Sequence, residues 1–256
     1  MLVHSANWPE SIWQQFSGDG SKTAMKKLLS ICGYGVPDLE RALFSASNAL
    51  TLIAQSELQP FDKRRDDEGN AKSGYRTKDM HLYELPWPKE VLLSLPDNTE
   101  VEMRVTLSYF IEPGPGEIGW QDRYRYASHA LRFDLISPTE NKEQFIKRIN
   151  KAAREEEEGH PGTQSASDHW KIGQARDRGS LHSDIWQGMA SELAESNIIA
   201  ISPRIGWWRE RAHLERWDRW TRYSLIVSIT TPEEHIDVYT PVANKVGITV
   251  PVEITT

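Results

Sequence analysis

Between residues 100 and 110 apolar and polar residues alternate without a break. Val101, Met103, Val105, Leu107 and Tyr109 fall on one parity, and Glu100, Glu102, Arg104, Thr106 and Ser108 on the other. Successive side chains of a strand point to opposite faces, so this pattern demands a strand with one buried and one wet face. Half-covered strands of this kind belong to antiparallel sheets. The run ends at Pro113-Gly114-Pro115-Gly116, a strong stop.

The same logic finds further strands at "ALTLIAQSEL" (49–58), "MHLYELPWP" (80–88), "HALRFDLI" (129–136), "LHSDIW" (181–186), "IIAISP" (198–203), "RYSLIVSITT" (222–231) and "HIDVYTP" (235–241). Pro251 demotes the tail "GITVPVEITT" to an edge strand or extended arm. Residues 62–79 have almost no apolar content and predict a mobile surface loop. One helix is predicted from about Glu140, with Phe145, Ile149 and Ala152 on one side. Residues 49–256 therefore predict an antiparallel, jelly-roll-like β-sandwich. Residues 1–48 predict helices instead. Ser21 can cap a helix carrying Ala24, Met25, Leu28 and Leu29. After Gly33-Tyr34-Gly35, Pro37 suits a first helical position, and Leu39, Ala42, Leu43 and Ala46 form an apolar face.

The ordered set "MLVHSANWP", "KKLLSICGYGVPDLERALFSASNAL", then "MHLYELPWP", "VTLSYFIEPGPG", "SHALRFDL", "GSLHSDIW" and "GWWRER…RYSLIVSI" resembles the C-terminal part of bacterial subtilisin-like serine peptidases, the subtilases. The resemblance implies a mixed fold. Residues 1–48 would be the closing fragment of a subtilisin-like α/β domain, and residues 49–256 an accessory β-sandwich domain. It also implies that the catalytic Asp, His and Ser lie before Met1. Leu2, Val3, Leu28, Leu29, Leu39 and Leu43 would then face sheet and helices belonging to that earlier part.

Composition limits the alternatives. A net charge of −7 argues against nucleic acid as the main partner, and no run approaches the length of a membrane span. The first residues carry no basic stretch followed by an apolar run, the mark of a secretory signal. Cys32 is the sole cysteine, which excludes an internal disulfide and fits a reducing compartment, here the bacterial cytoplasm. The eight histidines show no His-x-x-x-His spacing, and no Cys-x-x-Cys or phosphate-binding glycine loop occurs. Neither a metal nor a cofactor is expected.

Two clusters of nucleophile-type residues stand out. His182-Ser183-Asp184 lies on a predicted strand, where Ser183 must point away from the other two, so a triad cannot form. A structural His182–Asp184 hydrogen bond beside Trp186 is the simpler expectation. His4-Ser5 falls within buried scaffold. No catalytic residue is assigned, and the chain alone is expected to be inactive.

The segment 204–222, "RIGWWRERAHLERWDRWTR", holds six arginines and three acids in an otherwise acidic chain. It predicts a β-hairpin whose arginines stack on its tryptophans and pair with Glu210, Glu215 and Asp218. Arg and Trp together also suit recognition by stacking and cation–π contact. Trp207, Trp208, Arg209, Arg211, Arg216, Trp217 and Trp220 are accordingly the candidate partner-binding residues. The expected function is that of a non-catalytic part of a serine endopeptidase, with the sandwich stabilising it, limiting access or docking a partner. The expected partners are an upstream or separately encoded peptidase domain and its peptide or protein substrate. The alternative is a stand-alone β-sandwich binding module that uses the Arg/Trp segment.

Overall fold

The computed structural model describes residues 1–16, 20–43, 49–66, 68–85, 89–114, 126–159, 168–230 and 249–254. The strand expected at 235–241 lies outside them. Four helices come first: α1 (Leu2–Ser5), α2 (Glu10–Phe16), α3 (Lys22–Cys32) and α4 (Leu39–Leu43). The strands are β1 (Ala49–Leu58), β2 (Phe61–Arg65), β3 (Ala71–Thr77), β4 (Asp79–Glu84), β5 (Glu100–Tyr109), β6 (Ala130–Leu135), β7 (Leu181–Met189), β8 (Ile198–Arg204), β9 (Thr221–Thr230) and β10 (Thr249–Glu253). Helices α5 (Lys89–Ser94), α6 (Lys142–Glu157), α7 (Ala190–Glu195) and α8 (Trp207–Glu210) lie between them. No helix among the described residues is long and apolar enough to cross a membrane.

The strands form two four-stranded antiparallel sheets, ordered β1-β9-β5-β7 and β10-β4-β8-β6, and a β2-β3 ribbon. The alternating strand β5 is interior, paired with β7 on one side and β9 on the other. Its odd-numbered residues meet the second sheet. Val105, Leu107, Leu225 and Val227 share one buried cluster with Tyr83, Leu131, Phe133 and Ile201. The other face of the second sheet is covered by α6, whose Phe145, Ile149 and Ala153 pack on Met80, Leu82 and Ala200. A sheet buried on both faces needs no alternation, which is why β8 runs apolar from Ile198 to Ile201. Asn141 and Gln144 close a capping box at the start of α6. Pro251 sits on the edge strand β10, paired only with β4, where a missing donor costs no ladder bond.

The segment 62–79 is not a loop. It forms the β2-β3 ribbon and the start of β4. The polarity that hid it reflects how it is held. Only Phe61 and Thr77 are buried at its base, while Glu157 of α6 binds Arg64 and the Thr77 amide. The short helices α5 and α7, which pack on each other, were too brief to show a period.

Helix α1 lies on the wet face of the first sheet. His4 is buried there, with Nδ1 2.9 Å from Thr106 Oγ1 and Nε2 2.9 Å from Ser228 Oγ. Arg104 donates to the carbonyls of His4 and Ala6 and to Asn7 Oδ1. Ser21 accepts from the Ala24 amide as the predicted cap. Gly35 has φ +88°, and a Cβ there would sit 2.3 Å from the Asn7 carbonyl oxygen, so only glycine lets Val36 bridge to Asn7. The expectation that Leu28 and Leu29 wait for outside partners is corrected. They pack with Met25 against Ile172 of the two-sheet body. Leu2 and Leu39 do remain exposed, and Val3 is half-buried. The side chain of Leu43 lies outside the described residues.

Candidate functional site

The segment 204–222 cannot be a hairpin, because β8 belongs to the second sheet and β9 to the first. It crosses between sheets through α8, a 3-10 turn at Ala212–Leu214 and a turn before Thr221. Gly206 anchors the crossing. Its position would place a Cβ 2.3 Å from the Ser128 carbonyl oxygen, and the Trp207 and Trp208 amides bond to the carbonyls of Ala127 and Ser128.

This crossing disperses the seven candidate residues. Trp207 is buried against Phe61, and its Nε1 donates to the Glu112 carbonyl at 3.0 Å. Trp208 is also buried; its Nε1 donates to Glu112 Oε2 at 2.9 Å, and its ring stacks on His129 with centroids 4.8 Å apart. Arg209 turns to the ribbon, donating to the Tyr75 carbonyl and pairing with Glu157. Trp217 stacks on Tyr75 beneath Lys63. Arg211 is buried and Arg216 half-buried. The expected pairing of Arg209 within its own segment is thus replaced by pairing with α6. Only Trp208 and the 57% exposed Trp220 line a groove.

That groove, about 980 Å³ in volume, lies where β1 and β5 end and β9 begins. Phe110, 89% exposed, stands with Trp220 at its lining. A contiguous depression of about 530 Å³ shares Glu57, Phe110 and Arg222 and runs along the sheet past Gln55, Ser108 and Ser224. Arg222 pairs with Glu57 at 3.3 Å. Glu215 and Asp218 line the groove with no ion-pair partner among the described residues. Glu215 has φ 49°, the sole non-glycine with positive φ among the described residues. Such a left-handed backbone costs a non-glycine residue about 1 kcal/mol or more.

Beneath the groove lies a chain of neutral rings. His129 sits between Trp208 and Tyr109, and Tyr109 meets His182 edge-on. Burial pushes the His129 imidazole down to about 4 and the Tyr109 phenol up to about 12. Nearby, the Tyr223 hydroxyl lies 2.5 Å from His81 Nδ1 and 2.6 Å from the Tyr83 hydroxyl, and burial raises the Tyr223 phenol too. Burial thus favours the neutral forms of His129, Tyr109, His81 and Tyr223, which make a floor to the groove rather than an acid–base pair.

The trio 182–184 separates as strand geometry requires. Ser183 faces outward to Thr106 Oγ1 at 2.8 Å. The expected His182–Asp184 bond is absent. His182 Nε2 bonds to the Gly179 carbonyl instead. Asp184 accepts from the amides of Ile172 and Gly173 and from Arg176 at 3.0 Å. Burial raises the Asp184 carboxyl, against the pull of Arg176. Arg176 itself lies between Phe133 and Trp170, each 4.4 Å from its guanidinium carbon. His4 with Ser228 has the outline of a dyad. Both its ring nitrogens face hydroxyls, however, where a triad would set a carboxylate against one of them. Among the described residues no group of three His, Cys, Asp or Glu could hold a metal.

Sequence reasoning missed Phe110, Glu57, Glu112 and Thr221. For Phe110 a signal existed: it is a large apolar residue on the wet parity of the alternating run. Comparison with protein-family models, with curated proteins and with solved structures returned no match.

Proposed function

We propose that the chain is the non-catalytic C-terminal part of a subtilisin-like serine endopeptidase. Residues 1–48 are then its closing helices, and residues 49–256 an accessory sandwich that holds and stabilises the peptidase domain. The site of action is the bacterial cytoplasm. The observation that carries this reading is where apolar surface is left open. Among the described residues, five of the eleven large, exposed hydrophobic ones lie in the first 39: Met1, Leu2, Ile31, Val36 and Leu39. Helices α1 and α4 touch, and Val36 bridges to Asn7, so Leu2, Val36 and Leu39 are carried by adjoining elements. Apolar surface concentrated on one small segment marks an interaction face. The same segment is fastened to the sheet through His4 and Arg104, so a domain docked on it is held rigidly to the sandwich.

Hydrogen exchange tests the docking. The chain is compared with the longer product of its gene's reading frame. Amides of residues 2–5, 31–36 and 39–43 should gain at least about tenfold protection in the longer product, the effect of covering a frayed surface element. Equal exchange in the two products would contradict the reading.

A further inference from the structure

We infer that the groove at the β1, β5 and β9 ends binds an extended peptide through an arginine or lysine side chain. This goes beyond the docking of a peptidase domain and does not require it. The groove is a different surface, formed by β5, β9 and the interstrand crossing rather than by α1, α3 and α4.

Three observations converge. The first is charge: the groove lining carries four carboxylates, Glu57, Glu112, Glu215 and Asp218, against Arg219 and Arg222. Arg222 is taken by Glu57, while Glu215 and Asp218 have no ion-pair partner among the described residues, so the groove complements a cation. The second is the aromatic pair. Phe110 and Trp220 are both exposed large aromatics at the groove lining. A cationic side chain laid over such rings gains cation–π attraction, and its methylenes cover apolar area. The third is an unused buried group. Thr221 lines the groove at 3% exposure, and its hydroxyl has no hydrogen-bond partner among the described residues. Buried hydroxyls are normally paired, and an unpaired one beneath the lining is an exception that calls for explanation.

The depression continuing past Gln55, Ser108 and Ser224 gives the rest of the peptide a polar track along the sheet. Along β9, Ser224 lies four residues before Ser228, which His4 holds, a separation of about 13 Å at strand rise. A bound peptide would therefore run toward the docked N-terminal segment.

The test uses the whole 256-residue chain. The probe is acetyl-Gly-Leu-Arg-Leu-Arg-Leu-Gly-amide carrying a fluorophore, followed by anisotropy. Its control replaces both arginines by citrulline, which is isosteric and neutral. The arginine peptide should bind with a dissociation constant below about 1 mM, and the citrulline peptide at least about tenfold more weakly. Trp220→Ala, and separately Glu215→Gln with Asp218→Asn, should weaken binding about fivefold or more while leaving the melting temperature unchanged. Arg219→Gln should strengthen it, a gain that misfolding cannot produce. The inference is overturned by equal binding of the two peptides, by no saturable binding up to about 1 mM, or by indifference to these variants. Displacement of the peptide by single-stranded oligothymidine, with tighter binding of that strand, would overturn it as well.

Discussion

Trp207 and Trp220 belong to one arginine- and tryptophan-rich segment, yet their surroundings give them opposite roles. Trp207 is 1% exposed and hydrogen-bonded, whereas Trp220 is 57% exposed. Trp207→Ala should cost about 3–5 kcal/mol, the range for truncating a core aromatic. Trp220→Ala should change stability by less than about 0.5 kcal/mol. Urea titrations of both variants check this; a wild-type midpoint for Trp207→Ala would contradict it. Composition marked the segment as unusual, but it could not tell a buried tryptophan from an exposed one. That distinction is made by long-range partners, Phe61 and Glu112, which no local pattern announces. His129 carries a second prediction. Its folded pKa, held down to about 4 by burial, lies below the usual 6.5 of an unfolded histidine. The unfolded state then binds more protons, so stability is full above about pH 6.5 and falls as pH drops toward 4. The loss attributable to His129 is on the order of 3 kcal/mol. His81 and His182 are shifted in the same direction, also by burial. His129→Gln should therefore shrink, without abolishing, the stability difference between pH 7 and pH 4.5. An unchanged difference would refute it.

At the scale of elements, the residues say most where one face is wet. Strand β5 was legible because its even-numbered side chains face the N-terminal segment and solvent, and α6 because only one side of the helix is buried against a sheet. The β2-β3 ribbon was not, since its sequence is polar on both faces and its position is set by distant partners, Glu157 and the aromatics of the crossing segment. Glu157, with a side chain only 5% exposed, receives Arg64, Arg209 and the Thr77 amide and so ties ribbon, crossing segment and α6 together. Glu157→Gln removes the charge those arginines answer. It should cost about 1.5–3 kcal/mol, the range for hydrogen bonds to charged groups. It should also raise exchange at the Thr77 amide more than at amides of β5. Uniform loss of protection across both would mean that Glu157 supports the whole body rather than this junction.

For the whole molecule, the alternation and stops in the sequence anticipated a body of antiparallel strands, while the pairing order of the two sheets and the crossing at 204–222 were not local properties. Placement of the N-terminal helices was half legible. Their caps and glycine turn could be read, but their burial against Ile172 and over Thr106 could not, because those partners lie more than a hundred residues away. The candidate groove draws on β1, β5, β9 and the crossing, so it exists only once the sheets are assembled. Under the proposed function, catalytic groups belong to a preceding peptidase domain and none to this chain. Fluorophosphonate labelling, read by mass spectrometry, tests it most directly on this chain and on the longer product of its reading frame. One labelled serine is expected, located before Met1 in the longer product, and none in this chain. Stoichiometric labelling of Ser5, Ser183 or Ser228, or a reading frame that encodes no serine-peptidase motif before Met1, would contradict it.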